Sequence, residues 1–282
     1  MKTGFVGAGK VGFTLGKYFK EHGTDVTGYY SRSLESAKEA AAFTGSHCFE
    51  TLEQVLFESD LLFLTVPDSA IGDVWKELEP MPIQGKIVCH CSGMLSSVVF
   101  NGAEQKQAFC YSVHPFFAIS SKAASYKQIS QALFTIEGSE KHLDALKRFI
   151  EQMGNAVHVI SAQQKIKYHT AAVFLSNHVT ALAQCGCKLL RECGFEEEVV
   201  QVALETLFLN HCKTIAATGP VKALTGPVER NDLPTVRKHM EYLEGDEKNL
   251  YGLLSRQLIE IAKSKHPDSD YSAMERFIKE ME

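Results

Sequence analysis

The sequence predicts an α/β domain built on a parallel sheet, followed by an all-α domain. Three observations carry this. From residue 2 to about 160, short β-branched or aromatic runs alternate with amphipathic helical stretches, the arrangement that buries a parallel sheet under helices on both faces. A glycine-rich turn stands directly after the first of those runs. After Ser161 the strand-like runs cease and long helical patterns take over.

Taken in order, the strand candidates are 3–6, 25–30, 61–66, 86–91, 109–113, 133–137 and 157–160, each short enough for a strand. Helical periodicity fills 11–22, 34–43, 70–78 and 143–153, and Gly23, Gly45 and Gly154 close three of these stretches as C-terminal glycines do. Residues 164–193 read as one helix of about 30 residues, about 45 Å long at 1.5 Å per residue. It is apolar on more than one side and so is expected to pack centrally. Further helices are expected over 196–217, 233–243 and 249–265. Between them, Gly219-Pro220 and Gly226-Pro227 mark 218–232 as a structured loop.

With 282 residues, 45% of them hydrophobic and 22% charged, the chain is long enough for two packed cores of ordinary composition. Its net charge of −5 provides no basic field for a phosphate backbone, so nucleic acid is not an expected partner. Met1-Lys2 runs straight into Gly4-Phe5-Val6-Gly7 without the parts of a signal peptide, and the expectation is a cytoplasmic protein. The apolar stretch 171–175 is interrupted by Ser176, Asn177 and His178, far short of a membrane span. Among the eight cysteines, Cys89-His90-Cys91 with Cys110 and His114 is the most metal-like group, yet paired CxxC spacing is absent. Cys89 and Cys91 fall on one strand face with His90 opposite, and the reading is of reduced, buried thiols with no metal site.

The most specific signal is Gly7-Ala8-Gly9-Lys10-Val11-Gly12, a GxGxxG run between the first strand and the first helix. Gly7 permits the turn, Gly9 lets the backbone approach a pyrophosphate, and Gly12 allows close helix–strand packing. The helix N-terminus offers its N–H groups to the anion. This makes the first domain, 1–161, a dinucleotide-binding Rossmann domain. About 20 residues on, where an acid would bind the ribose hydroxyls of NAD, the chain reads Ser31-Arg32-Ser33. A guanidinium flanked by hydroxyls suits a 2′-phosphate, so the expected cofactor is NADP, while Ser33 is also placed to cap the next helix. Val66, Pro67 and Asp68 after the strand at 61–66, with Ser92 and Gly93 after the strand at 86–91, are expected to complete the crevice.

These motifs, together with His90-Cys91-Ser92-Gly93, Val113-His114-Pro115-Phe116, Tyr168-His169, Ser176-Asn177-His178 and Leu224-Thr225-Gly226-Pro227-Val228-Glu229-Arg230-Asn231-Asp232, resemble the Rossmann-like family that carries a C-terminal domain of unknown function. That family is related to pyrroline-5-carboxylate reductases and 6-phosphogluconate-dehydrogenase-like enzymes, and it is similar to an alternative bacterial type of ketopantoate reductase. The resemblance implies an NADPH-dependent reductase of a small 2-oxo acid, with 2-dehydropantoate (ketopantoate) as the favoured substrate. It also implies a homodimer formed through a helical substrate and dimerisation domain, 162–282. A pyrroline-5-carboxylate-type imine reductase and a non-catalytic NADP-binding sensor are the alternatives. Better-understood relatives carry a lysine and an asparagine one turn apart, Lys-x-x-x-Asn. Here the residue four before Asn177 is Val173, and His169 lies eight before it. Reduction of a carbonyl needs a proton donor or an oriented hydrogen bond for the developing alkoxide. His169, His114, Lys167 and Lys165 are the ionisable candidates, and Asn177 is a neutral donor. Arg230 is placed either to grip a substrate carboxylate or to pair with Asp232.

Overall fold

Residues 1–281 are described by a computed structural model, in which two compact units divide the chain after Ser176. The first opens with β1 (Thr3–Val6), α1 (Lys10–Glu21), β2 (Val26–Tyr30), α2 (Leu34–Thr44), β3 (His47–Cys48), α3 (Leu52–Glu58), β4 (Leu61–Leu64), α4 (Asp68–Leu78) and β5 (Ile87–His90). It continues with β6 (Phe109–Phe116), β7 (Leu133–Gly138), α5 (Leu143–Glu151), β8 (Val157–Val159) and α6 (Lys165–Leu175). The strands form one sheet in the order β3-β2-β1-β4-β5-β6-β7-β8. The order reverses between β1 and β4, which opens a crevice beyond their carboxyl ends, where open α/β sheets bind ligands.

Alternation along the strands sorts the core into two layers. Leu61 and Phe63 of β4 join Phe5, Phe19 and Tyr111 on one face, and Leu62 and Leu64 join Val55, Ile71 and Trp75 on the other. Cys89 packs into the first layer and Cys110 into the second, and burial pushes both thiols above their ordinary range. Phe5 stacks between Tyr29 and Phe63 at centroid distances of 5.1 and 5.7 Å.

The sheet departs from the expected parallel pattern at its last two strands: β7 runs antiparallel to β6, pairing Ser112 with Glu137 and His114 with Thr135, and β8, parallel to β7, shares its reversed direction. A parallel return needs a crossover, usually helical, and the segment between β6 and β7 holds only the 3₁₀ turns Ser125–Lys127 and Ile129–Gln131.

The second unit comprises α7 (Asn177–Glu192), α8 (Glu197–Ala203), α9 (Leu209–Thr218), α10 (Pro220–Ala223), α11 (Leu233–Tyr242), α12 (Gly245–Lys265) and α13 (Ser272–Glu280). A π-helical turn, Leu204–Phe208, joins α8 to α9. The core of this unit is Val236, Met240, Ile259, Ala262, Met274 and Ile278. Two expectations are corrected here. The single helix over 164–193 is broken at Ser176 (φ −132°, ψ −75°), where the serine hydroxyl donates to Ala172 O at 2.7 Å and its amide to Val173 O. Such local back-bonding competes with the helical ladder and bends it. The segment 218–232 is not wholly loop either, since Pro220 starts the one-turn α10, where a proline needs no partner for its nitrogen. Among the described residues no helix is long and apolar enough to cross a membrane.

The close seating of α1 on β2 depends on Gly16. A Cβ there would collide with the Tyr29 hydroxyl, which donates to Gly12 O at 3.3 Å. Gly16→Ala is expected to destabilise the protein by about 1–3 kcal/mol, the usual cost of overpacking. Thermal denaturation measures it, and adding Tyr29→Phe should recover part of the loss by removing the colliding oxygen.

Candidate active site

At the carboxyl end of β1, Gly7 adopts φ +102°, a conformation that favours glycine. A Cβ on Gly12 would run into Gly7 O and Thr65 Oγ1, whose own hydroxyl donates to Gly7 O at 2.7 Å. A Cβ on Gly9 would meet no described atom within 4 Å. Thus one glycine turns the chain, one seats α1 against β4, and one leaves its outward side open. The backbone begins α1 at Gly9 without a side-chain cap, so Lys10, Val11 and Gly12 present first-turn N–H groups of the kind that bind phosphate. Beside them lies a cavity of about 250 Å³ lined in part by Gly7, Ala8, Gly9, Ser31, Arg32 and Val66. Pro67 also lines it, and Asp68 opens α4 immediately after. Ser33 caps α2, accepting from Ser36 N at 3.3 Å. The turn, the open side of Gly9 and the Arg32-lined cavity fit a dinucleotide with a phosphorylated ribose.

Further along the same sheet edge, the loop after β5 is held from three sides. Ser92 Oγ donates to Asp68 Oδ2 at 2.6 Å and accepts from the amides of Met94 and Leu95. Ser92 O accepts from Lys165 Nζ at 2.8 Å, and the same ammonium donates to Ser112 Oγ at 2.6 Å. Lys165 is the first residue of α6 and only 1% exposed. Burial lowers its pKa from 10.5 to about 8, against the opposing pull of the Glu137 and Asp68 carboxylates.

Gly93 then lets two imidazoles approach the backbone. A Cβ there would stand 2.7 Å from His169 Nδ1 and 2.9 Å from His114 Nε2, so both nitrogens converge on this residue. His114, near the end of β6, shares a 2.7 Å hydrogen bond between Nδ1 and the Tyr168 hydroxyl. Burial, reinforced by the charges of Lys165 and His169, brings its pKa down to about 3, which keeps the ring neutral. Among the described residues His169 Nδ1 is buried without a hydrogen-bond partner. Behind them, burial holds His90 at about 4, and its Nδ1 accepts from Ser92 N.

The structure therefore brings together His114, His169 and Lys165 from the expected set, adds Tyr168 and Ser112, and leaves Lys167 exposed outside the cluster. The Lys-x-x-x spacing sought before Asn177 occurs instead at Lys165 and His169, one helical turn apart on α6. Asn177 is the first residue of α7 in the second unit, where Arg230 is exposed and Asp232 caps α11 by accepting from Thr235.

A Rossmann-like domain model matches residues 1–115, and a domain of unknown function, DUF2520, matches 132–258. No curated protein matches the chain. A solved protein from Thermotoga maritima is 29% identical, with 93% of this chain and 99% of that one covered and a TM-score of 0.75. A protein from Bacteroides fragilis, named as a candidate NADP oxidoreductase, is 26% identical over 92% of this chain and 98% of its own, at a TM-score of 0.69. A reductive aminase from Aspergillus terreus, solved with NADPH and ethyl levulinate, has the same fold at 15% identity, 98% coverage of both chains and a TM-score of 0.69.

The depressed Lys165 pKa has a measurable consequence. Its ammonium is less favoured in the folded chain than in the unfolded one, so between about pH 8 and 10.5 the unfolded state binds the extra proton. Through this group, stability rises as pH rises across that window. Lys165→Met is expected to remove this pH-dependent contribution, on the order of 3 kcal/mol. Denaturant titrations of both proteins across the window would show it as a difference in slope.

Proposed function

We propose that this chain, a Rossmann-like domain continued by DUF2520, is an NADPH-dependent reductase acting on the carbonyl of a small 2-oxo acid. What carries the reading is the convergence of His114, His169 and the buried Lys165 around Gly93, on the same carboxyl edge of the sheet as the glycine turn. Gly7 to Gly12 would hold the pyrophosphate, and Ser31 with Arg32 the 2′-phosphate. NADPH, when bound, supplies the hydride. The imidazoles orient the carbonyl oxygen and provide hydrogen-bond donors for the charge that develops on it. The Lys165 ammonium adds a fixed positive charge behind Ser92 that favours an oxyanion without leaving its own partners.

Ketopantoate is the favoured substrate by resemblance. Reduction of a cyclic imine of the pyrroline-5-carboxylate type is the second reading, favoured by the likeness in fold to a reductive aminase. NADPH oxidation in the presence of a panel of 2-oxo acids and cyclic imines tests both. Turnover of oxo acids alone supports the first. Cofactor binding without turnover of any of them would refute both and leave a sensor.

Arg32→Ala is expected to lower the preference for NADPH over NADH by roughly 10- to 150-fold, the worth of about 1.5–3 kcal/mol for a charge-assisted hydrogen bond. An unchanged ratio of kcat/KM values would remove Arg32 from the site. The second unit exposes Val199, Val202, Leu207 and Leu209 along α8, the π turn and the start of α9. We assign this apolar face to the pairing of two copies. Sedimentation at micromolar concentration is expected to give a dimer, and a monomer would overturn the assignment.

A further inference from the structure

The hydrogen bond between Tyr168 and His114 does more than hold two rings together. Its 2.7 Å length joins a phenolic oxygen to an imidazole nitrogen, and each ring is kept neutral by its burial. Of the two groups the phenol is the stronger acid and the imidazole nitrogen the stronger base, so the hydrogen is donated from oxygen to nitrogen. A neutral imidazole has one N–H, and a ring that accepts at Nδ1 carries its hydrogen at Nε2. His114 Nε2 is one of the two nitrogens converging on Gly93, and the other, His169 Nδ1, is buried with no partner among the described residues.

We propose that Tyr168 is a positioning residue that fixes the tautomer of His114, so that His114 presents its Nε2 hydrogen, and not a lone pair, at Gly93. This deepens the reductase reading, on which its catalytic part rests: the fixed tautomer keeps a donor, not an acceptor, available at Gly93 for a substrate oxygen. No proton transfer between the rings is required, because the effect is one of orientation before reaction.

The test is two-bond proton–nitrogen correlation NMR on full-length protein labelled with ¹⁵N-histidine, at a pH above the ordinary imidazole range. His114→Gln and His169→Gln variants assign the two rings. The native protein is expected to show His114 as the Nε2–H tautomer. Tyr168→Phe is expected to turn His114 into a mixture and to lower kcat roughly tenfold, the scale of one lost hydrogen bond, with KM little changed. An Nδ1–H tautomer of His114 in the native protein would overturn the proposal, as would a Tyr168→Phe protein whose tautomer is unaltered. A tautomer that shifts without any change in kcat would refute the catalytic part. If no oxo acid or imine is turned over, the reductase reading fails, while the NMR result still decides whether Tyr168 sets the tautomer.

Discussion

An ammonium group removed from water must find acceptors, and the candidate site is arranged around how Lys165 does so. With the residue 1% exposed, its Nζ is bonded to Ser92 O and Ser112 Oγ, so the start of α6 is fixed to the loop after β5 and to β6 at once. The cost of burying an unpaired charge makes this geometry unforgiving. Ser92 extends the linkage through Asp68 to the start of α4. Tyr168 and His169 follow within about one turn of it on the same helix, and their positions near His114 and Gly93 are inherited from the anchored lysine.

The electrostatic outcome is a cation with neutral rings beside it. Two histidines next to an ammonium are held unprotonated, His114 at about 3 and His90 at about 4, with burial the leading cause in each. Neutral imidazoles keep both a donor and an acceptor, which charged ones do not. An oriented donor backed by a fixed positive charge suits the stabilisation of an oxygen as it gains charge. Preorganised dipoles of this kind act without rearrangement at the moment of reaction.

Much of this was legible in the chain itself, because its signals were local. The GxGxxG run does stand between β1 and α1, and the seven strands read from the sequence all exist. What was not legible depended on distant partners. The two-residue β3 is too short to announce itself, although Thr51 and Gln54, which form the capping box of α3, were a usable signal. The reversal of β7 follows from a connection lacking a crossover helix, and the interruption at Ser176 from one hydroxyl turned back on Ala172. Lys165 and Lys167 look alike in sequence. Only the register of α6 against Ser92 and Ser112 shows which is buried. The Lys165–His169 spacing stands in the sequence about two turns ahead of the register that Asn177 defines.

The interruption at Ser176 also bears on how such a protein changes over generations. The bonds from Lys165 to Ser92 and from Tyr168 to His114 all close within the stretch that contains the glycine turn. Both partners of each bond lie ahead of any substitution or insertion made after Ser176. Lineages are therefore at liberty to diverge in the later helices, while these bonds are passed on with the sheet as a single heritable block.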